Sequence, residues 1–365
     1  MNHLSLPLTA EYQSLLLANI PMIDVRAPIE FITGSLPYAT NLPLILDDER
    51  HEIGICYKKK GPKAALALGH ERVKGTVKNK RVEAWKLFLT KHPNAVLYCA
   101  RGGLRSRLSQ QWLGEVGITC PRIKGGYKSL RAFMLQSLID CCETKNFILL
   151  SGMTGTGKTD IIKTLETSID LEGAANHKGS SFGRPLGEQP AQIDFENKII
   201  LDLMQVQHKY PEHSIIIENE GRNIGGRHLP QPLNVAMAES PMVVIDLPFE
   251  ERIDKLWHEY VIERYHQTMA YQQESGEQAF ADYLIDSLLR VKKRLGGQRT
   301  KEILALMEGA IKRQHQDNFA SHRSWLEAIT ADYYDPMYLY QLDKRNQRIA
   351  FRGNHEEVIE WFHKN

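Results

Sequence analysis

Along this chain, short apolar runs alternate with amphipathic ones. Pro21-Met22-Ile23-Asp24-Val25-Arg26 is a short apolar run ending in polar residues, and it predicts a strand. Ala27–Phe31 predicts a turn or short helix, with Pro28 suited to the first helical position. Gly34–Pro43 reads as a loop leading into a short strand, and Ala95-Val96-Leu97 as a buried strand. Leu108–Val116 is amphipathic at helical spacing. Three further runs predict strands: Phe147–Ser151, Ser214–Ile217 and Met242–Asp246. From Glu250 to about Ala328 the pattern is helical, with few breakers. Asp332–Asn365 predicts a closing strand and helix, with Trp361 and Phe362 as packing anchors. Strands separated by helical runs imply an α/β fold. The expected division is an α/β domain over residues 1–135 and a second α/β domain over 145–365, with a helical extension over about 250–330.

Composition narrows this. A chain of 365 residues is long enough for two domains. Apolar content of 42% and charged content of 25% exclude a disordered chain. No apolar run approaches 18 residues, so no membrane helix is expected, and Met1–Ser5 lacks the start of a signal peptide. Five cysteines without a C-x-x-C pair argue against a disulfide framework and against zinc, and point to a cytoplasmic protein. Cys141 and Cys142 read as structural, and neither haem nor flavin is expected. The formal charge of +2 neither demands nor excludes nucleic acid, so charge has to be read locally.

The chemistry concentrates first at Tyr98–Ser106. Cys99 follows a strand, lies in a loop with Gly102 and Gly103, and precedes a helix N-terminus. Backbone N–H groups and the helix dipole there favour anions, and Arg101 and Arg105 add full charges. Together they favour thiolate over thiol and form a seat for a tetrahedral anion in front of the sulfur. Between Tyr57 and Arg81, Lys58, Lys59, Lys60, Lys63, Arg72, Lys74, Lys78 and Lys80 make a basic stretch. A solvated face or mobile loop and an RNA-contacting surface are both open readings of it.

A second site follows the strand Phe147–Ser151. Gly152-Met153-Thr154-Gly155-Thr156-Gly157-Lys158-Thr159 is G-x-x-x-x-G-K-T in its strand–loop–helix context. Gly152, Gly155 and Gly157 let backbone N–H groups wrap a diphosphate; Lys158 reaches its terminal charge and Thr159 is placed for Mg²⁺. At the end of the strand Ser214–Ile217, Glu218 and Glu220 compete for the acidic position near that metal, while Asp246 reads as structural. Lys178, Ser180, Ser181 and Arg184 form a polar loop able to close over a ligand, and Glu220–Arg227, with Arg222, is similar in kind. Arg290, Lys292, Lys293, Arg294, Arg299 and Lys301 form a basic segment that reads as a solvated helix or an RNA-facing one.

Asp24-Val25-Arg26, Gly34–Asn41, the Cys99 loop and Ile123–Tyr127 resemble successive landmarks of a rhodanese domain, whose cysteine carries sulfur as a persulfide. The common sulfurtransferase loop has four residues between the cysteine and the closing arginine or threonine. Here five separate Cys99 from Arg105, which encloses a larger anion and also resembles cysteine phosphatases. Joined to the P-loop, and with Ala174–Gly183 and Glu218–Gly225, these landmarks closely resemble the bacterial tRNA 2-selenouridine synthase family over most of the chain. Ala100 and Ala175 are local variations that remove no proposed chemical group.

The resemblance implies replacement of sulfur by selenium at the 2-position of a wobble 2-thiouridine. The sulfur is first geranylated from geranyl diphosphate, then displaced by selenium from selenophosphate. It implies these two substrates, Mg²⁺, the tRNA anticodon arm and a selenophosphate-supplying enzyme as partners, and no membrane. Cys99 becomes nucleophile or selenium carrier, with Arg101 and Arg105 at the anion, while the P-loop holds the diphosphate. A geranyl chain also needs an apolar pocket, which the sequence does not locate. Two other enzyme classes stay open: a tRNA sulfurtransferase with an NTP-dependent P-loop domain, and a cysteine phosphatase fused to a kinase-like domain. Complete motifs at Cys99 and Gly152–Thr159 count against a non-enzymatic RNA-binding protein.

Overall fold

The computed structural model describes residues 7–344 and 346–364; Met1–Ser5, read above for a leader, lies outside them. The chain divides into two compact units, Met1–Cys141 with Ala191–His208, and Cys142–Pro190 with Lys209–Asn365.

The first unit holds a parallel sheet of β1 (Leu8–Thr9), β2 (Met22–Asp24), β3 (Ala39–Asn41), β4 (Val96–Tyr98) and β5 (Arg122–Ile123), in the order β1-β5-β4-β2-β3. β2 and β4 are buried at every position, because a parallel sheet is covered on both faces and its inner strands read as continuous apolar runs. Their register sets Asp24 beside Tyr98. Ile23, Leu97 and Leu113 pack with Trp85 and Trp112, whose rings stack at 6.3 Å, and Cys99 borders the same core.

The basic stretch is helical rather than a loop. Apart from Lys74, which lies between them, it falls on helices Asp47–Arg72 and Thr76–Lys91. The first is kinked where Gly61 adopts φ 82°, a conformation glycine reaches without penalty, and the following Pro62 disfavours a helical predecessor there. Helix Leu104–Glu115 begins four residues ahead of the amphipathic run that predicts it, directly after the cysteine loop.

One helix leaves its sequence neighbourhood. Gln192–Lys209 lies in sequence among residues expected in the second domain, yet most of it clusters with the first unit. Asp194 accepts from the backbone N–H and hydroxyl of Ser35 (2.6 and 3.0 Å), and Arg131 donates to Asn197 (2.5 Å) and pairs with Glu196. A Cβ on Gly34 would lie 2.6 Å from Ile193, so this approach requires glycine.

The second unit holds β6 (Phe147–Gly152), β7 (Ser168–Ile169), β8 (Ile215–Glu218), a small antiparallel pair β9 (Asn223–Ile224) and β10 (Arg227–His228), β11 (Met242–Ile245) and β12 (Ile349–Gly353). The main sheet is parallel in the order β12-β11-β6-β8-β7. β12 and helix His355–Lys364 close it, with Trp361 stacked on Phe351 at 5.9 Å. Asp246, at the end of β11, pairs with Arg352 at 2.6 Å. Helices from Phe249 to Asp343 build a separate core around Phe280, Trp325 and Phe182. Among the described residues no helix is long and apolar enough to cross a membrane.

Candidate active site

Cys99 is the first residue beyond β4 and is 3% exposed. Its loop is clasped by the turn after β5: Tyr127 N–H donates to the Cys99 carbonyl (2.9 Å) and Lys128 N–H to that of Ala100 (3.0 Å). Gly126 sits at φ 61°, and a Cβ there would lie 2.1 Å from the Cys99 carbonyl oxygen, so only glycine permits the clasp. The Cys99 thiol donates to Ser106 Oγ at 3.2 Å, and Ser106 in turn donates to the Gly103 carbonyl. On deprotonation the same hydroxyl can rotate to donate to the thiolate.

The arginines divide. Arg101 is exposed. Arg105 turns to Glu30, Nη1–Oε2 2.5 Å and Nη2–Oε1 3.0 Å, and Glu30 also takes Arg50 at 3.2 Å. Burial would raise the Glu30 carboxyl, but Arg105 outweighs it and holds Glu30 below the usual range. Sequence reasoning missed Arg122, which donates to the Gly102 carbonyl at 2.8 Å and to Gln110 at 3.2 Å. A thiolate at Cys99 acts favourably on both Arg105 and Arg122. Behind the loop, Arg26 forms a buried pair with Asp24 (2.6 Å) and lies 4.0 Å over the Tyr127 ring, so the Asp24–Arg26, Gly34, Cys99 and Tyr127 landmarks converge. By contrast, burial pushes the Cys120 thiol up to about 12, which leaves it inert.

The P-loop of the second unit is formed as its motif requires. Gly155 and Gly157 adopt φ 83° and 71°. Lys158 Nζ donates back to the Gly152 carbonyl at 3.0 Å. Thr159 Oγ1 lies 3.2 Å from Glu172 Oε2 and 3.4 Å from Glu218 Oε1, and Glu172 N–H donates to Glu218 at 3.1 Å. Burial first, then the neighbouring Glu172, pushes Glu218 up to about 8. Burial also raises Glu220, to about 7, against the opposing pull of Lys158. Both acidic candidates therefore gather at this site, joined by Glu172, which sequence reasoning missed because its order of elements showed no strand before it. A hydroxyl and one or two carboxylates beside a phosphate site are the hard oxygen donors Mg²⁺ takes while keeping water and substrate oxygens. Among the described residues no group of three or more His, Cys, Asp or Glu is arranged to hold a metal alone. Arg252 underpins the loop: buried, it donates to the Thr154 carbonyl at 3.1 Å and grips Asp335 with two bonds of 2.8 and 2.6 Å.

The polar loop after Ala175 is docked onto the helices. Lys178 pairs with Glu259 (2.6 Å), Ser180 meets Tyr260 (2.7 Å) and Ser181 meets Tyr334 (2.8 Å). Arg184 pairs with Asp286 (2.7 Å), and Phe182 stacks on Tyr260 and Trp325. Loop and helices enclose a cavity of about 350 Å³ that includes His177, Arg184, Glu259, Arg264 and Tyr283. His177 Nδ1, Arg184 Nε and Arg264 Nε are buried there without a partner among the described residues, an arrangement that suits a ligand rich in hydrogen-bonding groups. Burial first, then Arg184, holds His177 below its ordinary value. Arg222 is exposed and lies outside this lining. In the second basic segment, Arg290 is paired with Asp286 and Arg299 with Asp332 and Glu302, which neutralises part of its charge.

Residues 145–365 match the family model described as tRNA 2-selenouridine synthase AAA domain. A tRNA 2-selenouridine synthase of Marinobacter nauticus is 46% identical over 362 residues, covering 98% of this chain and 98% of the relative. That of Hahella chejuensis is 43% identical, covering 97% and 94%, and that of Salmonella typhimurium 45%, covering 96% and 97%.

Proposed function

Because the chain belongs to the tRNA 2-selenouridine synthase family, we propose that it exchanges sulfur for selenium at a wobble 2-thiouridine in two steps, each with its own site. In the first, the base sulfur attacks C1 of geranyl diphosphate: a carbon–sulfur bond forms, the carbon–oxygen bond breaks, and diphosphate departs. The P-loop is the seat for that diphosphate, with Lys158 and the backbone of Gly155 and Gly157 facing its charge. Thr159 and Glu218, with Glu172 beside them, are the residues that would hold Mg²⁺, which neutralises charge on a departing diphosphate.

In the second step the alkylated sulfur is a far better leaving group than a thione. The selenium of selenophosphate attacks C2: a carbon–selenium bond forms, the carbon–sulfur bond breaks with its electron pair leaving on geranyl thiolate, and attack of water on phosphorus then breaks the phosphorus–selenium bond, leaving selenium on the base and releasing phosphate. Selenophosphate is a tetrahedral anion suited to the lengthened Cys99 loop, where Cys99 serves as nucleophile and Ser106 steadies the sulfur. On this reading the first unit is a rhodanese-like domain. The anticodon arm of tRNA is the macromolecular substrate, a selenophosphate-supplying enzyme is the upstream partner, and the reaction runs in the cytoplasm.

The observation carrying the proposal is the pairing, in one chain, of a hydroxyl-partnered thiol at a strand end with a complete P-loop. The test is nucleoside mass spectrometry of a 2-thiouridine anticodon stem-loop incubated with protein, Mg²⁺, geranyl diphosphate and selenophosphate, each omitted in turn. Geranylated uridine from the first donor alone, and selenouridine only with both, is the expected result. Selenouridine without geranyl diphosphate overturns the two-step order.

A further inference from the structure

The first unit contains an apolar pocket of about 210 Å³. Its floor includes Leu44, Ile53, Ala65, Leu108 and Trp112, and Leu66 lies at its mouth. Leu104 and Arg105 complete a wall, and they are the first two residues of the helix that starts where the cysteine loop ends. The pocket and the seat of Cys99 thus share one stretch of backbone.

The pocket is chemically one-sided. Arg105 lines it, but both arms of its guanidinium are taken by Glu30. The remaining surface is almost wholly hydrocarbon, which excludes a base, a sugar or a phosphate as occupant, since a polar group buried without a partner is costly. Leu104 is 50% exposed and Leu66 38%, so apolar surface stands open around the mouth, as at a ligand site. The rim has the opposite character. Tyr57 and Pro62 line the pocket at the kink of helix Asp47–Arg72, and Lys58, Lys59, Lys60 and Lys63, beside them in sequence, are all exposed. An apolar interior under a cationic rim matches a hydrocarbon carried on a polyanion.

We propose that this pocket receives the hydrocarbon substituent on the base sulfur of the alkylated tRNA, while Lys58–Lys60 and Lys63 meet RNA phosphates. The inference rests on the two-step reading above and deepens it. The chain is anchored beside Cys99 while the carbon–sulfur bond at C2 breaks, and it leaves with the thiolate. The pocket also makes the second step selective. An unalkylated thiouridine fills nothing there, whereas each buried methylene favours the alkylated substrate by about fourfold.

The experiment supplies the full-length protein and selenophosphate with stem-loops bearing S-methyl-, S-butyl- and S-geranyl-2-thiouridine, and measures kcat/KM for selenouridine formation. The wild-type protein is expected to prefer geranyl over methyl strongly. Ala65→Phe, which fills the floor, and Leu66→Glu, which puts a charge at the half-exposed mouth, are each expected to lower the geranyl-to-methyl ratio at least tenfold. A ratio unchanged in a folded variant overturns the pocket. A diazirine on the geranyl chain gives a second reading that needs no variant: photolysis is expected to label residues 44–73 or 104–112, and labelling elsewhere overturns the assignment. Failure of the wild-type protein to selenate any alkylated RNA instead overturns the two-step reading itself.

Discussion

Arg105 and Glu30 meet through both guanidinium arms, at 2.5 and 3.0 Å, with side chains only 25% and 17% exposed. The arginine that closes the cysteine loop is therefore charge-balanced before any substrate arrives. Glu30 also accepts from the Ala27 N–H at the start of helix Pro28–Ile32. Glu30→Gln is expected to cost roughly 1–3 kcal/mol in urea unfolding, since it weakens charged hydrogen bonds in a partly shielded site. It also leaves Arg105 as an unbalanced cation, so alkylation of Cys99 by iodoacetamide should speed up at fixed pH. An unchanged alkylation rate would show that Arg105 does not act on the thiol.

Cys99→Ala is expected to abolish selenouridine formation while S-geranylation survives, because the two proposed steps use different sites. Cys120→Ala, removing a buried thiol held far from its reactive form, should leave both products in place. Nucleoside mass spectrometry reads both, and loss of geranylation in Cys99→Ala would sink the division of labour.

Gly155 sits at φ 83°, and a Cβ there would lie 2.7 Å from the Arg252 carbonyl oxygen. Gly155→Ala should therefore cost about 1–2 kcal/mol in backbone strain alone and spoil the phosphate seat. Lys158→Ala keeps the backbone but removes the charge. Both are expected to reduce kcat/KM for geranyl diphosphate at least tenfold, with selenation of pre-geranylated RNA largely retained.

The Arg252–Asp335 pair is buried on the arginine side, with 4% exposure, and also holds the Thr154 carbonyl. Asp335→Ala leaves that charge without its partner and is expected to destabilise the second unit by about 3–5 kcal/mol. Urea unfolding of the full chain should show the loss, and the geranylation step should fall with it.

His322 is fully buried; its Nδ1 accepts from Trp325 Nε1 at 2.9 Å, and Nε2 faces Gln314 at 3.4 Å. Burial pushes its imidazole down to about 4, against a weaker pull from Asp317. The unfolded chain titrates this group near pH 6.5 and so takes up a proton that the native state refuses. Its contribution is fully present above pH 6.5 and is lost as pH falls toward 4, on the order of 3 kcal/mol in all. Urea midpoints at pH 7 and 4.5 should converge in His322→Gln relative to the unsubstituted chain.

Both reactive motifs were legible before any coordinates because their chemistry is local. A P-loop is one strand, one glycine turn and one helix start, and the cysteine seat is built the same way. The strands β2, β4, β6, β8 and β11 were legible for a related reason: a parallel strand buried on both faces must be mostly apolar. The long helices over 47–91 were hidden, since a charged surface with Gly61-Pro62 in its middle carries little helical periodicity and two turn signals.

What the sequence determined by itself is where the cysteine loop and the P-loop motif lie and the local backbone each needs, because conformation and residue type within a few positions decide that. What only the tertiary structure decided is which charges stay available and what surrounds them. Arg105 is matched by Glu30, Arg252 by Asp335 across 83 residues, and Thr159 by Glu172 and Glu218. Helix Gln192–Lys209 clusters largely with the first unit, and an apolar pocket forms beside the cysteine loop from residues as far apart in sequence as Leu44 and Trp112. Such pairings satisfy buried polar groups or bury apolar area between distant segments, and the energy of either depends on distances that chain order does not carry.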